Sequence, residues 1–339
     1  TVLTRLYKAE LPVVDKAQIT IVTTDEEKVK ELLEDARAHW KEMDERLRTM
    51  KEEETRPWYS CTLCQSFATS NVCIITPERP SSCGAITWYD AKAGYEMDPG
   101  SSWQPFDPGE CLDPIKGEWS GVNEEVAKRS GGVNTRYYLH SLFGYPHTSC
   151  GCFESVSFYM PEVDGIGIVE RAYKGICPNK LPFSTMAART GGGQQTEGLL
   201  GTSSEYMRSR KFWQADGGWY RVVWMPKYLK EEVKDAIPEE MWDKIATEED
   251  ANTMEELKEF LKKVDHPVVK GMEVKTEFGT VKIKGWEEEE EITMDDILEY
   301  IEEHEGELDV EECAEELGTT EEVVMRIVEK MIEEGILEA

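Results

Sequence analysis

The sequence predicts an α+β fold, a mixed sheet carrying helices and long metal-binding loops, followed by a small helical, winged-helix-like module at the C-terminus. Three observations carry this expectation. Cys61, Cys64, Cys73, Cys83, Cys150 and Cys152 lie in irregular stretches interrupted by Gly and Pro. Short apolar runs of strand type alternate with such loops up to about Trp286. From Glu287 onward the composition changes abruptly to acidic segments with apolar stripes. Runs of strands and helices that do not alternate regularly argue for α+β rather than a doubly wound sheet.

The elements divide into three regions, 1–56, 57–286 and 287–339. In the first, residues 17–23 (AQITIVT) form a short buried-type strand. Thr24 and Glu27 have the spacing of a capping box and open a helix. Val29, Leu33, Ala36, Trp40, Met43, Leu47 and Met50 then recur every three or four residues, one apolar seam on a helix that delivers the chain to the next domain. In the second region, Tyr137–Leu142, Val156–Tyr159, Ile166–Val169 and Arg221–Trp224 read as strands. Helices follow at roughly 227–235, 239–246 and 253–263, then a hairpin around Phe278-Gly279. In the third, Thr293 caps a helix bearing Ile297, Leu298 and Ile301, a second helix (310–317) ends at Gly318, and Thr320 starts a third. Gly335-Ile-Leu after the last helix completes the winged-helix pattern.

Composition narrows the function classes. Lys+Arg total 38 against 69 Asp+Glu, a formal charge of −31. That excludes ordinary nucleic-acid binding, which rests on cationic contacts to phosphate, and disfavours an anionic membrane surface. The acidity is concentrated in the C-terminal module, where 23 acids face only Arg326 and Lys330. Despite its shape, this module is therefore expected to dock protein or solubilise rather than bind DNA. No apolar run reaches the roughly 18 residues of a membrane span, and no signal segment is recognisable. Nine cysteines without a disulfide-scaffold pattern fit a reducing cytoplasm, and Cys111, Cys177 and Cys313 read as small buried hydrophobes. The chain opens on Thr1, which suggests a piece of a longer protein.

The cysteines form two groups with different chemistry. Cys150-Gly151-Cys152 offers two thiolates and, if the intervening amides lose their protons, the backbone nitrogens of Gly151 and Cys152. Four such donors wrap one metal in a plane, which suits Ni(II) or Cu(II) and not tetrahedral Zn(II). Gly151 lets the backbone flatten without a Cβ in the way, and both sulfurs keep lone pairs for a second metal. The upstream set, Cys61-x2-Cys64-x8-Cys73-x9-Cys83, supplies four thiolates within 23 residues. That is enough for one 4Fe–4S cube or one structural zinc. Singleton third and fourth cysteines, with Pro77 and Pro80 before Cys83, favour the cube over a zinc ribbon.

At these residues the chain resembles the cluster-bearing C-terminal domain of acetyl-CoA synthase, the CO-methylating enzyme of anaerobic acetogens and methanogens. The resemblance runs from about residue 5 to about residue 286. It rests on YSCTLCQSFATSNVCIITPERPSSCGAITW (59–88), YPHTSCGCFE (145–154), PEVDGIGIVER (161–171), LPFSTMAARTGGG (181–193) and FWQADGGWYRVVWMP (212–226). It implies an A-cluster, a 4Fe–4S cube joined to two nickel ions. Carried over, Cys61, Cys64, Cys73 and Cys83 hold the cube, and Cys64 shares its sulfur with the proximal nickel. Cys150 and Cys152 bridge both nickels, and the distal nickel takes the nitrogens of Gly151 and Cys152. Phe67 matches the aromatic beside the proximal nickel's reactive face. The implied activity is an acyltransferase that joins CO and a corrinoid-borne methyl group and passes the acetyl group to CoA. CO dehydrogenase and a corrinoid iron–sulfur protein are the implied partners. The rival reading is an electron-transfer or scaffold protein that keeps the cube without nickel.

Other residues invite blander readings. Gly191–Gly193 lacks the rest of a phosphate-binding motif and is expected to be a tight turn near the centre. His147 is expected to position its loop by a hydrogen bond rather than relay protons. Trp213, Trp219 and Trp224 are as well suited to the core as to a channel. Arg189 and Arg221 are candidates for the CoA phosphates only by their place in the matched stretches.

Overall fold

A computed structural model describes residues 24–286, 294–304, 308–317, 319, 321–333 and 336–337. The chain separates into two compact units, Thr1–Trp286 and Glu287–Ala339. The strand expected at 17–23 lies outside the described residues.

The first described element is the helix Glu26–Leu47. Its cap is Asp25 and not Thr24: the Asp25 carboxylate accepts the Lys28 N–H at 3.0 Å. An ionised acceptor is the stronger partner for an orphan amide of the first turn, and it also meets the positive end of the helix dipole. The helix stops at Leu47, short of Met50, and only Leu47 is buried. Val29 and Trp40, on the same seam, are 43% and 52% exposed. The helix is therefore anchored at its C-terminal end, where Arg48 donates to the Glu205 carboxylate at 2.8 and 3.0 Å.

Beyond Pro57 comes a three-stranded antiparallel sheet in the order β2-β1-β3, with β1 at Trp58–Cys61, β2 at Cys73–Ile75 and β3 at Trp103–Phe106. Side chains alternate across a strand. Trp58 and Ile74 therefore pack on one face with Trp119 and Val122. Tyr59, Cys61, Cys73 and Ile75 pack on the other with Trp88. Trp88 opens a helix to Met97 that is capped by a Thr87–Asp90 box, and Val122 lies on the helix Ser120–Arg129. A two-stranded ribbon, β4 (Cys111–Asp113) and β5 (Glu118–Trp119), leads into the latter helix.

The larger sheet runs β8-β6-β7-β9. Its strands are β6 (Ser155–Met160), β7 (Gly165–Glu170), β8 (Leu199–Thr202) and β9 (Val222–Trp224), and β9 is parallel to β7, so the sheet is mixed. Apolar side chains fill both of its faces. Gly201 in β8 has to be glycine, since a Cβ there would sit 1.9 Å from the Phe153 ring. Trp213, Trp219 and Trp224 all belong to this core.

Tyr137–Leu142 is not a strand. The segment makes one isolated bridge, Tyr138 to Pro146, and its amides bond to irregular chain, Leu139 N–H to Gly117 and His140 N–H to Lys116. Its side chains are buried all the same, which is why it imitates a strand in sequence. The helices Lys227–Glu232, Glu239–Trp242 and Met254–Lys263 and the hairpin β10 (Met272–Thr276)/β11 (Gly279–Ile283) match the expected positions.

In the acidic unit three helices, Met294–Glu303, Val310–Glu316 and Glu321–Glu333, enclose Ile297, Tyr300, Cys313, Val324, Val328 and Met331. The expected marks at Thr293, Gly318, Thr320 and Gly335 fall outside the described residues. Among the described residues no helix is long and apolar enough to cross a membrane. Cys177 and Cys313 are fully buried and Cys111 is partly exposed.

Candidate metal centre

The small sheet sets two of the upstream cysteines. Cys61 ends β1, Cys73 begins β2, and the two are direct cross-strand partners. Both are 7% exposed. Cys64 lies on the one-turn 3-10 helix Leu63–Ser66, whose carbonyl at Cys64 accepts the Phe67 and Ala68 amides at 3.2 and 3.0 Å. Phe67 itself is 63% exposed beside this turn. Cys83 follows in a turn where the Ser81 hydroxyl lies 3.2 Å from its sulfur. The Cys73 sulfur has Asn71 Nδ2 at 3.8 Å and Ser82 Oγ at 3.9 Å. The upstream quartet thus rests on a strand pair and two turns, more regular than the sequence suggests.

The downstream loop is sewn onto this frame. Thr148 Oγ1 donates to the Val72 carbonyl at 3.1 Å and accepts the Val72 amide at 3.2 Å. Ser82 Oγ donates to the Thr148 carbonyl at 3.4 Å. The glycine run clamps both loops: Gly193 N–H donates to Ser149 O at 2.9 Å, Gly192 N–H to Cys150 O at 3.3 Å, and Ser70 Oγ to Gly193 O at 2.7 Å. A Cβ on Gly193 would meet the Asn71 nitrogen at 2.6 Å, so that close approach needs glycine. Gly191–Gly193 is accordingly a turn at the centre. His147 is fully buried, donates from Nδ1 to its neighbour's carbonyl at 3.1 Å, and stacks on Trp213 at 5.9 Å. Burial, then the Arg79 charge, hold its pKa well below the usual range, so it stays neutral.

Both cysteine groups meet at Cys64. Its thiol is near enough to that of Cys150 for each to act on the other, and Cys152 is near enough to act on both. Gly151 adopts φ +114° with open space where a Cβ would stand, and the Cys152 amide points at the Cys150 sulfur from 3.3 Å. That N–H is one of the two amide protons a chelating metal would displace. Exposure grows along the site, from buried Cys61 and Cys73 through half-buried Cys64, Cys83 and Cys150 to exposed Cys152.

Burial and mutual proximity favour the protonated thiols. Burial, then the neighbouring Cys73, push Cys61 up to about 12. Burial raises Cys150 well above its ordinary value, with Cys64 and Cys152 adding to it. Burial raises Cys64 too, partly offset by its contact with Cys150. Protonated, crowded thiols give up their protons when a metal supplies the missing positive charge. No three of these sulfurs lie within 4.8 Å of one another. A single tetrahedral zinc at about 2.3 Å from each sulfur needs them roughly 3.8 Å apart. The same spread holds for Cys64, Cys150 and Cys152, so the fit to a larger group rests on donor number and type: six soft thiols in two groups that lie side by side.

Among the described residues, the one set of three candidate ligand atoms that is mutually close is Glu52, Glu53 and Glu78. A cation is already there: Lys211 Nζ lies 3.0, 2.5 and 2.9 Å from the three carboxylates. His140 Nε2 meets Glu52 from the other side at 2.9 Å. Arg221 is bound to the Asp164 carboxylate and is not free for a phosphate, while Arg189 is exposed. Sequence reasoning missed Arg171, which donates to the carbonyls of Gly151 and Phe153. It also missed the Lys211 cluster. Both depend on contacts between distant segments that leave no local pattern.

Residues 40–274 match the family of the C-terminal part of the ACS/CODH beta subunit. Residues 293–333 match the family described as Cell division protein CdvB, C-terminal HTH domain, in keeping with the three helices of the acidic unit. The beta subunit of the acetyl-CoA decarbonylase/synthase complex of Methanopyrus kandleri is 59% identical over 79% of this chain and 57% of its own length. That of Archaeoglobus fulgidus is 56% identical over 84% of this chain and 54% of its own length. The chain thus spans just over half the length of these curated relatives. A solved structure of the C-terminal domain of the acetyl-Coenzyme A synthase alpha subunit is 40% identical, covers 35% of this chain and 94% of that chain, and superposes with a TM-score of 0.32.

Proposed function

The chain belongs to the family of the ACS/CODH beta subunit, as its C-terminal part, and on that premise we propose that residues 57–286 are the catalytic domain of an acetyl-CoA synthase. What supports the reading is that the Cys150-Gly151-Cys152 loop is fastened to the frame of the upstream quartet through Thr148 and the Gly191–Gly193 turn, which brings Cys150 and Cys152 near Cys64. Cys61, Cys64, Cys73 and Cys83 would hold a 4Fe–4S cube. Cys64, Cys150 and Cys152 would hold a proximal nickel, and Cys150, Gly151 and Cys152 a distal one. When bound, these metals supply an electron-rich, low-coordinate nickel able to accept a methyl group, CO and a thiolate.

The protein's own residues do the rest. Cys61 and Cys73 are buried and would keep the cube end away from water. Phe67, exposed beside Cys64, would wall the reacting face. The Gly191–Gly193 turn and Thr148 hold the two thiol-bearing loops at fixed separation, which is the geometric service a positioned site renders. CO dehydrogenase, a corrinoid iron–sulfur protein and CoA are the proposed partners. The acidic unit, with its helix-turn-helix likeness, is proposed to dock protein and not DNA, because its 23 acids against two bases repel phosphate.

The test is anaerobic reconstitution. The chain should bind about two nickels per cube and catalyse exchange of label between CO and an acetyl carbonyl, or of methyl with a corrinoid donor. Iron uptake with no nickel at any ratio would instead support the electron-transfer or scaffold reading.

A further inference from the structure

Two carbonyls at the chelate loop face one guanidinium. Arg171 Nη2 donates to Gly151 O at 3.0 Å and to Phe153 O at 2.9 Å. The Cys150 carbonyl has a different partner, the Gly192 N–H at 3.3 Å. The carbonyls of Cys150 and Gly151 belong to the two peptides whose nitrogens are Gly151 N and Cys152 N. Those are the nitrogens a planar chelate would use.

When a peptide nitrogen binds a metal as an anion, its N–H bond breaks, the proton leaves to solvent, and a metal–nitrogen bond forms. Peptide resonance places part of the new negative charge on the carbonyl oxygen of the same unit. A donor aimed at that oxygen therefore acts on the metal site without touching the metal. Resting on the proposal that Cys150–Cys152 hold nickel through two nitrogens and two sulfurs, we propose that Arg171 is a positioning residue whose positive charge stabilises the anionic Gly151–Cys152 peptide. Gly192 N–H serves the Cys150–Gly151 peptide in the same way as a neutral donor.

The fold holds Arg171 in place for this. β6 and β7 pair from Ser155–Glu170 to Met160–Gly165, so Arg171 emerges opposite the end of the chelate loop. Its own N–H donates to Glu154 O at 3.0 Å. The guanidinium also lies over the Phe183 ring, 5.7 Å from its centre. A planar, always charged fork can serve two carbonyls at once, which lysine cannot do as well. Arg171 is exposed, so its charge is partly screened.

Outer hydrogen-bond partners of metal ligands typically change metal affinity about 10–100-fold. The experiment uses the full chain with its iron–sulfur cluster reconstituted, and measures Ni(II) and Cd(II) affinity by chelator competition. Planar nickel is followed by its ligand-field absorption. Cd(II) binds thiolates and leaves the amides protonated. Arg171→Gln should weaken Ni(II) by about 10-fold or more with Cd(II) unchanged, and Arg171→Lys should recover part of the loss. Unchanged Ni(II) affinity in Arg171→Gln overturns the proposal. So does an equal loss for both metals, which would mean that Arg171 merely holds the loop, and so does a lysine variant no better than glutamine. Wild-type chain that forms no planar nickel species would sink the underlying reading of the site, and this proposal with it.

Discussion

Lys211→Met is the sharpest stability test the fold offers. Lys211 is 3% exposed, and its ammonium is the common counter-ion of Glu52, Glu53 and Glu78. Burial alone would lower its pKa, but Glu52 and Glu78 outweigh that and raise it well above the ordinary value. For Glu52, burial alone would raise the pKa, but His140 and Lys211 hold it well below the usual range. Methionine keeps the length and removes the charge. Breaking a buried ion pair by deleting one partner costs about 3–5 kcal/mol. Here Glu78 keeps Arg210 at 2.7 Å and Glu52 keeps His140 at 2.9 Å, so the lower end, about 3 kcal/mol, is expected at pH 7. With a urea slope of about 2–3 kcal/mol per molar, the midpoint should fall by about 1–1.5 M. The deficit has a pH signature. Depressed carboxylate pKa values stabilise above the unfolded value and lose that effect as pH falls through the folded one. Without Lys211 the Glu52 carboxylate protonates more readily, so the gap to wild type should narrow between pH 7 and 4. A loss below about 1 kcal/mol at pH 7, or a gap constant with pH, would refute this account of the cluster.

Cys150→Ser or Cys152→Ser should abolish nickel binding and leave the brown iron–sulfur absorbance, whereas Cys73→Ser or Cys83→Ser should damage the cube first. Cys64→Ser should impair both, and full nickel uptake in that variant would disprove the shared sulfur. Deleting residues from Glu287 onward should leave metal content unchanged, because every candidate ligand precedes residue 153; loss of the metals would make the acidic unit part of the catalytic core. His266 donates from Nε2 to Val222 O at 3.0 Å and accepts the Val268 amide at Nδ1, an arrangement that only the neutral ring can satisfy. Burial lowers its pKa to about 4. That stability is complete above the unfolded value of about 6.5 and is lost as pH falls through about 4, about 3 kcal/mol in all. His266→Gln should therefore show a flatter acid limb in urea titrations, and identical limbs would contradict the assignment.

The sequence disclosed those parts of the molecule whose physics is local. The strands β6, β7 and β9, the helices after Pro226 and the β10/β11 hairpin announce themselves by short-range pattern and turn chemistry. The cysteines stood out by residue type, and the structure brings the two groups near one another at Cys64 and Cys150. Tyr137–Leu142 misled because burial, and not pairing, selects its apolar residues. The cap at Asp25 was missed because two adjacent residues can both cap and only the backbone geometry decides between them. Arg171, Thr148 and Lys211 were illegible for a common reason. Each acts on a partner brought near by the fold, such as Glu52, 159 residues from Lys211, and no periodicity records such a meeting.

The glycine turn that stitches the two loops has a consequence for the order of events in a cell. The quartet is complete once residue 83 has been made, but the turn that fastens Ser70 to Ser149 arrives only with Gly193. At about 5–20 residues per second, a ribosome needs on the order of 5–20 s to cover that interval. Throughout it, the four upstream thiols stand without the downstream loop that the turn fastens beside them. Thiolates bind soft ions with little discrimination, so a stray zinc could draw the quartet tight before its proper frame exists. On the proposed metal reading, loading would depend on timing as much as on affinity, and would be favoured wherever it follows synthesis of the whole domain.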